Sequence, residues 1–220
     1  MAPASSALFV FRGPWGVPVE VKTSILLLPL FLINLGGTPQ DLVYDGMFVL
    51  ILLGSVFLHE LGHAWGCLIQ GVPVKRIVLH CGGGFCERTR SATRYEQELI
   101  VGMGPIVTLT LWAGAGLIAP FINDPEIARV FWMISSLNGF LAVLNLLPVN
   151  PLDGGKLFAL LMHRLFRARL AIIISASVGL LFAVIWVPVM FLGFVQFGFI
   201  LFFLPSVALH WRMLVRAARA

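Results

Sequence analysis

Three ionisable residues, His59, Glu60 and His63, stand inside an apolar run covering residues 46–68. No other feature restricts the fold as strongly. About 20 consecutive apolar residues suffice for a helix to cross a bilayer. Charged or metal-binding groups at that depth are costly, so they point to function by default. On a helix, His59 and His63 fall at i and i+4, on one face, with Glu60 beside them. Two imidazoles and a carboxylate in that pattern suit a zinc ion and a water that it acidifies.

The rest of the chain agrees with a membrane setting. Of its 220 residues, 59% are hydrophobic and 11% charged, with a mean hydropathy of +0.97. A soluble domain carries about 25% charged residues. The pattern predicts an all-α polytopic membrane protein of one domain, residues 1–220. Six transmembrane helices are expected, at about 23–35, 43–69, 99–121, 127–147, 170–187 and 189–209. Residues 1–22, with Pro3, Pro14 and Pro18, read as a surface segment. Between spans 2 and 3, Val74 to His80 mixes β-branched and basic residues, and Gly82-Gly83-Gly84 makes a turn. A small membrane-associated β-ribbon is expected there.

The net charge of +5 does not point to nucleic acid, because the basic residues cluster in loops. The N-terminal segment carries Arg12 and Lys22; the loop after span 2 carries Lys75, Arg76, Arg88, Arg90 and Arg94. The loop after span 4 carries Lys156, Arg164, Arg167 and Arg169, and the tail carries Arg212, Arg216 and Arg219. Only Arg129 lies in the opposite connections. The positive-inside rule therefore puts both termini in the cytoplasm. No cleaved signal peptide is expected, since the first long apolar segment follows Lys22. Three cysteines, Cys67, Cys81 and Cys86, give no disulfide framework. Cys81 and Cys86 read as reduced thiols rather than a redox pair or second metal site, and Cys67 as packing. His163 and His210 lie among arginines and read as solvated.

A catalytic zinc usually takes three protein ligands and keeps one open position. Asp153, in Asn150-Pro151-Leu152-Asp153-Gly154-Gly155, is the best third ligand. Spans 2 and 4 run in the same direction, so both motifs approach the cytoplasmic half of the membrane. Prolines and glycines break the helix around Asp153, and irregular backbone at membrane depth is tolerated where it lines a cavity.

His59-Glu60-Leu61-Gly62-His63, Asn145-Leu146-Leu147-Pro148 and Pro151-Leu152-Asp153-Gly154-Gly155 together resemble the site-2 protease family of intramembrane zinc metalloproteases. The likeness covers nearly the whole chain, including Gly82-Gly83-Gly84 and Gly104-Pro105. It implies one zinc per chain, bound by His59, His63 and Asp153, with Glu60 as general base. Asn145 would orient substrate or stabilise the oxyanion. Asn150 departs from the family pattern, and leaves Asn145 and Asn150 as alternative polar helpers. No stretch corresponds to the PDZ or CBS domains that many members carry. The implied activity is hydrolysis of peptide bonds within or near the transmembrane segment of single-pass membrane proteins. Regulation by PDZ or CBS domains is expected to be absent or supplied by a membrane partner, and a cell-membrane location is expected. The alternative is a non-proteolytic membrane zinc protein, a transporter or scaffold. A transporter needs polar residues along a path through several spans. Here the polar chemistry concentrates at one depth, which favours the enzyme.

Overall fold

A computed structural model describes residues 7–197 and 205–219. The chain divides into two compact units between Ala142 and Val143.

The first unit is built on a small sheet and long helices. Strands β1 (Ala7–Arg12) and β2 (Pro18–Lys22) lead through a 3-10 turn, Thr23–Leu26, into the short helix α1 (Leu27–Leu32). Helix α2 (Pro39–Ile69) follows, then β3 (Val74–His80), β4 (Gly83–Arg88), α3 (Arg94–Ile118) and most of α4 (Pro125–Leu146). The long helices start earlier than apolar periodicity suggests, because polar caps set their ends. Thr38 and Asp41 form a capping box at α2, and Thr93 and Glu96 form one at α3. Before α4, the Asp124 carboxylate accepts from the amides of Glu126 and Ile127 at 2.9 and 3.0 Å.

The expected two-stranded ribbon is half of a larger sheet. Its order is β1-β2-β3-β4, with β2 parallel to β3 and the outer pairs antiparallel. The N-terminal segment is thus paired rather than a loose surface segment. Pro18 does not prevent this, since it occupies the first position of its strand. Val19 and Val21 are buried with Ile77 and Leu79, and Leu52, Leu53, Val56, Phe57 and Leu61 of α2 pack on that cluster. Glu20 is also buried, bridged by Lys22 and Arg76. Those two cations hold its carboxyl below the usual carboxylate range, Lys22 most strongly, against the opposing effect of burial.

This packing explains the brevity of the first apolar helix. The sheet lies beside α2 at the level of Phe57, whose ring is 6.1 Å from that of Phe11. Beyond α1, the Asn34 amide donates to Asp45, near the start of α2. The interval from Phe57 to Asp45 is 12 residues of helix, or roughly 18 Å. A ten-residue helical segment, Thr23–Leu32, covers it.

The second unit contains α5 (Asp153–Leu165), α6 (Ala168–Phe197) and α7 (Val207–Arg219). Helix α6 continues through Pro188, where a boundary between spans 170–187 and 189–209 was expected. Where no water can satisfy freed backbone groups, continuing the helix costs less than breaking it. The expected sixth span also includes residues 198–204, which lie outside the described residues. Among the described residues, four helices are long and apolar enough to cross a membrane: Pro39–Ile69, Arg94–Phe121, Pro125–Leu146 and Ala168–Gly193. The protein is thus mostly helical, with a small four-stranded sheet. Arg169 donates to the carbonyls of Ala217 and Ala218, both at 3.0 Å, and ties the start of α6 to the end of α7.

Candidate metal centre

His59, Glu60 and His63 lie on α2 and are all buried, although α2 turns much of its surface outward. The His63 Nδ1 is 2.8 Å from the carbonyl of Ile100 in α3. A carbonyl only accepts, so Nδ1 carries the proton and Nε2 keeps its lone pair. This outer hydrogen bond is the arrangement that orients metal-ligating histidines. The Nε2 atoms of His59 and His63 approach to 3.1 Å, with the rings nearly perpendicular. Two ligand nitrogens on a tetrahedral zinc, each about 2.0–2.1 Å from the metal, stand roughly 3.3 Å apart. The imidazole pair therefore fits zinc.

Glycines make the close packing around these side chains. A Cβ on Gly104 would lie 2.4 Å from the ring of His63 and 2.8 Å from that of His59. On α2, a Cβ at Gly62 would meet the Met103 carbonyl at 2.6 Å, and one at Gly66 would meet the Ile100 Cα at 2.9 Å. Both glycines thus serve close contact between α2 and α3. In β4, Gly84 lies against Glu60, where a Cβ would come within 2.7 Å of its Cγ.

Asp153 and Asn145 belong to the second unit. Asn145 is in the last turn of α4, and Asp153 is the first residue of α5. A carboxylate there is favoured by the positive end of the helix dipole. Asp153 is buried, and Lys156 donates to its Oδ1 at 3.0 Å. The preceding turn is closed by Val149 donating to the Leu147 carbonyl at 2.7 Å and Leu152 donating to that of Val149 at 3.0 Å. The Asn150–Pro151 peptide is cis. Gly154 and Gly155 let α5 lie directly on this turn. Cβ atoms there would come within 2.2 Å of the Leu146 carbonyl and 2.5 Å of the Val149 carbonyl carbon.

A family model for peptidase family M50 matches residues 47–113 and 103–186. The chain belongs to peptidase family M50. Zinc metalloprotease MJ0392 of Methanocaldococcus jannaschii is 26% identical over 166 residues, 74% of this chain and 48% of the relative. Protein sll0528 of Synechocystis sp., whose name also places it among zinc metalloproteases, is 32% identical over 147 residues. That match covers 66% of this chain and 38% of the relative, so the M50 chain spans less than half the length of these two proteins. The solved site-2 protease from Methanocaldococcus jannaschii shares the fold, with a TM-score of 0.63 at 21% identity. The likeness covers 96% of this chain and 94% of that one.

One buried polar residue of the first unit was not singled out from sequence. Asn138 in α4 is fully buried and donates to Ser55, one turn before His59, and to the Ile134 carbonyl, both at 2.9 Å. An amide inside an apolar span was the available signal. Cys86 packs with fully buried Cys67 rather than pairing with Cys81. A hydrogen bond with the Cys67 thiol, together with burial, pushes the Cys86 thiol up. His210, read as solvated, is completely buried.

Proposed function

We propose that this chain is an intramembrane zinc endopeptidase that cuts membrane-anchored substrates within or near their transmembrane segment. The observation carrying this reading is the convergence of two buried imidazoles beside a buried glutamate on an apolar helix. His59, His63 and Asp153 are assigned as the ligands of one zinc per chain. That assignment joins an i, i+4 histidine pair to the carboxylate of the Pro151-Leu152-Asp153-Gly154-Gly155 motif.

Zinc held by His59, His63 and Asp153 would supply an acidified water and polarise the scissile carbonyl. Glu60 takes the water proton and returns it to the leaving amine. Its contact with Gly84 brings the backbone of β4 to the side of the reacting groups. The Asn145 amide donates to the developing oxyanion; loss of one such donor costs about 10²–10³ in rate. A helical substrate must unwind before its carbonyls are accessible. Strand β4 is an edge of the sheet and offers backbone groups to an unwound segment. Prolines along that edge are expected to abolish cleavage without removing zinc.

The chain is read as one membrane domain of six crossings with cytoplasmic termini, in a cell membrane. The loop distribution of lysine and arginine supports that orientation. The substrates are single-pass membrane proteins. The test is cleavage of a tagged single-pass substrate by purified protein in liposomes, with metal analysis alongside. Glu60→Gln should keep zinc and lose about 10²–10⁴ in rate, the usual worth of a general acid–base. Cleavage by that variant at the wild-type rate rejects the assignment.

A further inference from the structure

We propose that His210 is a positioning residue. From helix α7, its imidazole clamps the backbone of Asn150 and thereby sets where the Asp153 carboxylate stands. The inference rests on the assignment of Asp153 as a zinc ligand.

Helix α7 is amphipathic, and His210 falls on its inner face with Leu214 and Ala217 at i+4 and i+7. The imidazole is fully buried. Its Nδ1 lies 2.9 Å from the Ser206 carbonyl, so Nδ1 must donate. The Asn150 amide lies 3.2 Å from Nε2 and donates to it. One nitrogen donates and the other accepts, which fixes the tautomer. A doubly protonated ring would set an N–H against the Asn150 N–H.

The ring packs directly on α6 at Gly179. A Cβ at Gly179 would lie 2.3 Å from Cδ2 of His210 and 2.4 Å from its Nε2. The glycine leaves room for the imidazole and holds it against the turn. Backbone bonds within residues 144–156 also close that turn: Leu147 to Leu144, Val149 to Leu147, Leu152 to Val149 and Lys156 to Leu152. The bond from Asn150 to His210 instead spans 60 residues and anchors the turn to a separate helix. Asn150 is three residues before Asp153, and Gly155 packs against the Asn150 nitrogen at a Cβ distance of 2.7 Å. A displacement of Asn150 is therefore passed through a tightly packed backbone to Asp153.

The test measures zinc affinity by chelator competition on the full chain in detergent, with kcat and KM for a single-pass substrate. Four variants are compared with wild type: His210→Gln, His210→Leu, Gly179→Ala and Asp153→Ala. Gln places an amide oxygen near the position of Nε2 and retains the acceptor. Leu removes it at similar volume, and Gly179→Ala displaces the ring without altering it. We expect zinc affinity and kcat to fall about 10–100-fold in His210→Leu and Gly179→Ala, the range for loss of an outer-shell partner. KM should hold, and His210→Gln should stay within about threefold of wild type. If His210→Leu does not fold, the other two substitutions decide. Wild-type zinc affinity in Gly179→Ala, or a loss in His210→Gln equal to that in Gly179→Ala, overturns the proposal while the protease reading stands. Unchanged zinc affinity in Asp153→Ala overturns the ligand assignment and this inference with it.

Discussion

The two regions that carry the proposed zinc ligands are held by different means. His59 and His63 sit on an uninterrupted 31-residue helix, so the helical period itself sets their separation. Their surroundings fix tautomer and packing through Ile100, Gly62, Gly66 and Gly104, all local to the α2–α3 contact. Asp153 instead follows an irregular turn, and its position depends on short backbone bonds, two crowded glycines, Lys156 and a histidine 57 residues further on. A ligand pair borne by one helix moves as a unit. A ligand borne by a turn is sensitive to every group that anchors the turn.

Gly154→Ala should break the comparison most severely. Its Cβ would collide with the Leu146 carbonyl, which as backbone cannot move aside as a side chain could. Zinc affinity measured by chelator competition should fall more than 100-fold, beyond the range of about 10–100-fold typical of outer-shell changes. Near-normal affinity would mean that the turn yields readily. Gly104→Ala tests the helical region. There the added methyl meets imidazole rings, which can tilt, so a loss of about 10–100-fold is expected. Asn138→Ala should leave zinc affinity unchanged but lower stability by about 1–3 kcal/mol, as loss of a buried hydrogen-bonding partner does. Thermal unfolding in detergent would show it.

Glu20→Gln should act on stability alone, lowering the melting temperature at neutral pH and changing little in acid. The Glu20 carboxyl is held below its usual range by Lys22 and Arg76, so its ionised form stabilises the fold. That contribution is present above the unfolded carboxylate range and disappears as pH falls through the lowered folded value. Wild type should therefore lose melting temperature between neutral and acid pH more steeply than Glu20→Gln. Parallel pH profiles would remove Glu20 from the account.

The centre and the fold were not equally legible in the sequence. The motif at 59–63 could be read directly because its spacing matches one helical turn. Strands β3 and β4 were readable from β-branched residues and a glycine turn. The pairing of Val19 with Ile77 was not, since it joins residues far apart in the chain and the prolines around β2 suggested loop. Pro188 suggested a helix end that an apolar environment overrides. The burial of His210 was masked by Arg212 and Arg216, although its i+4 and i+7 neighbours already marked an apolar face. Local periods were visible, whereas contacts made by chain closure were not.

The most direct test of the central claim is X-ray absorption at the zinc edge on purified full-length chain, with Asp153→Ala beside wild type. The account predicts one zinc per wild-type chain, two imidazole nitrogens and carboxylate or water oxygen at about 2.0–2.2 Å, and a changed first shell in the variant. A sulfur shell at about 2.3 Å, which Cys67 and Cys86 would supply, contradicts it. So does a zinc first shell that Asp153→Ala leaves unaltered.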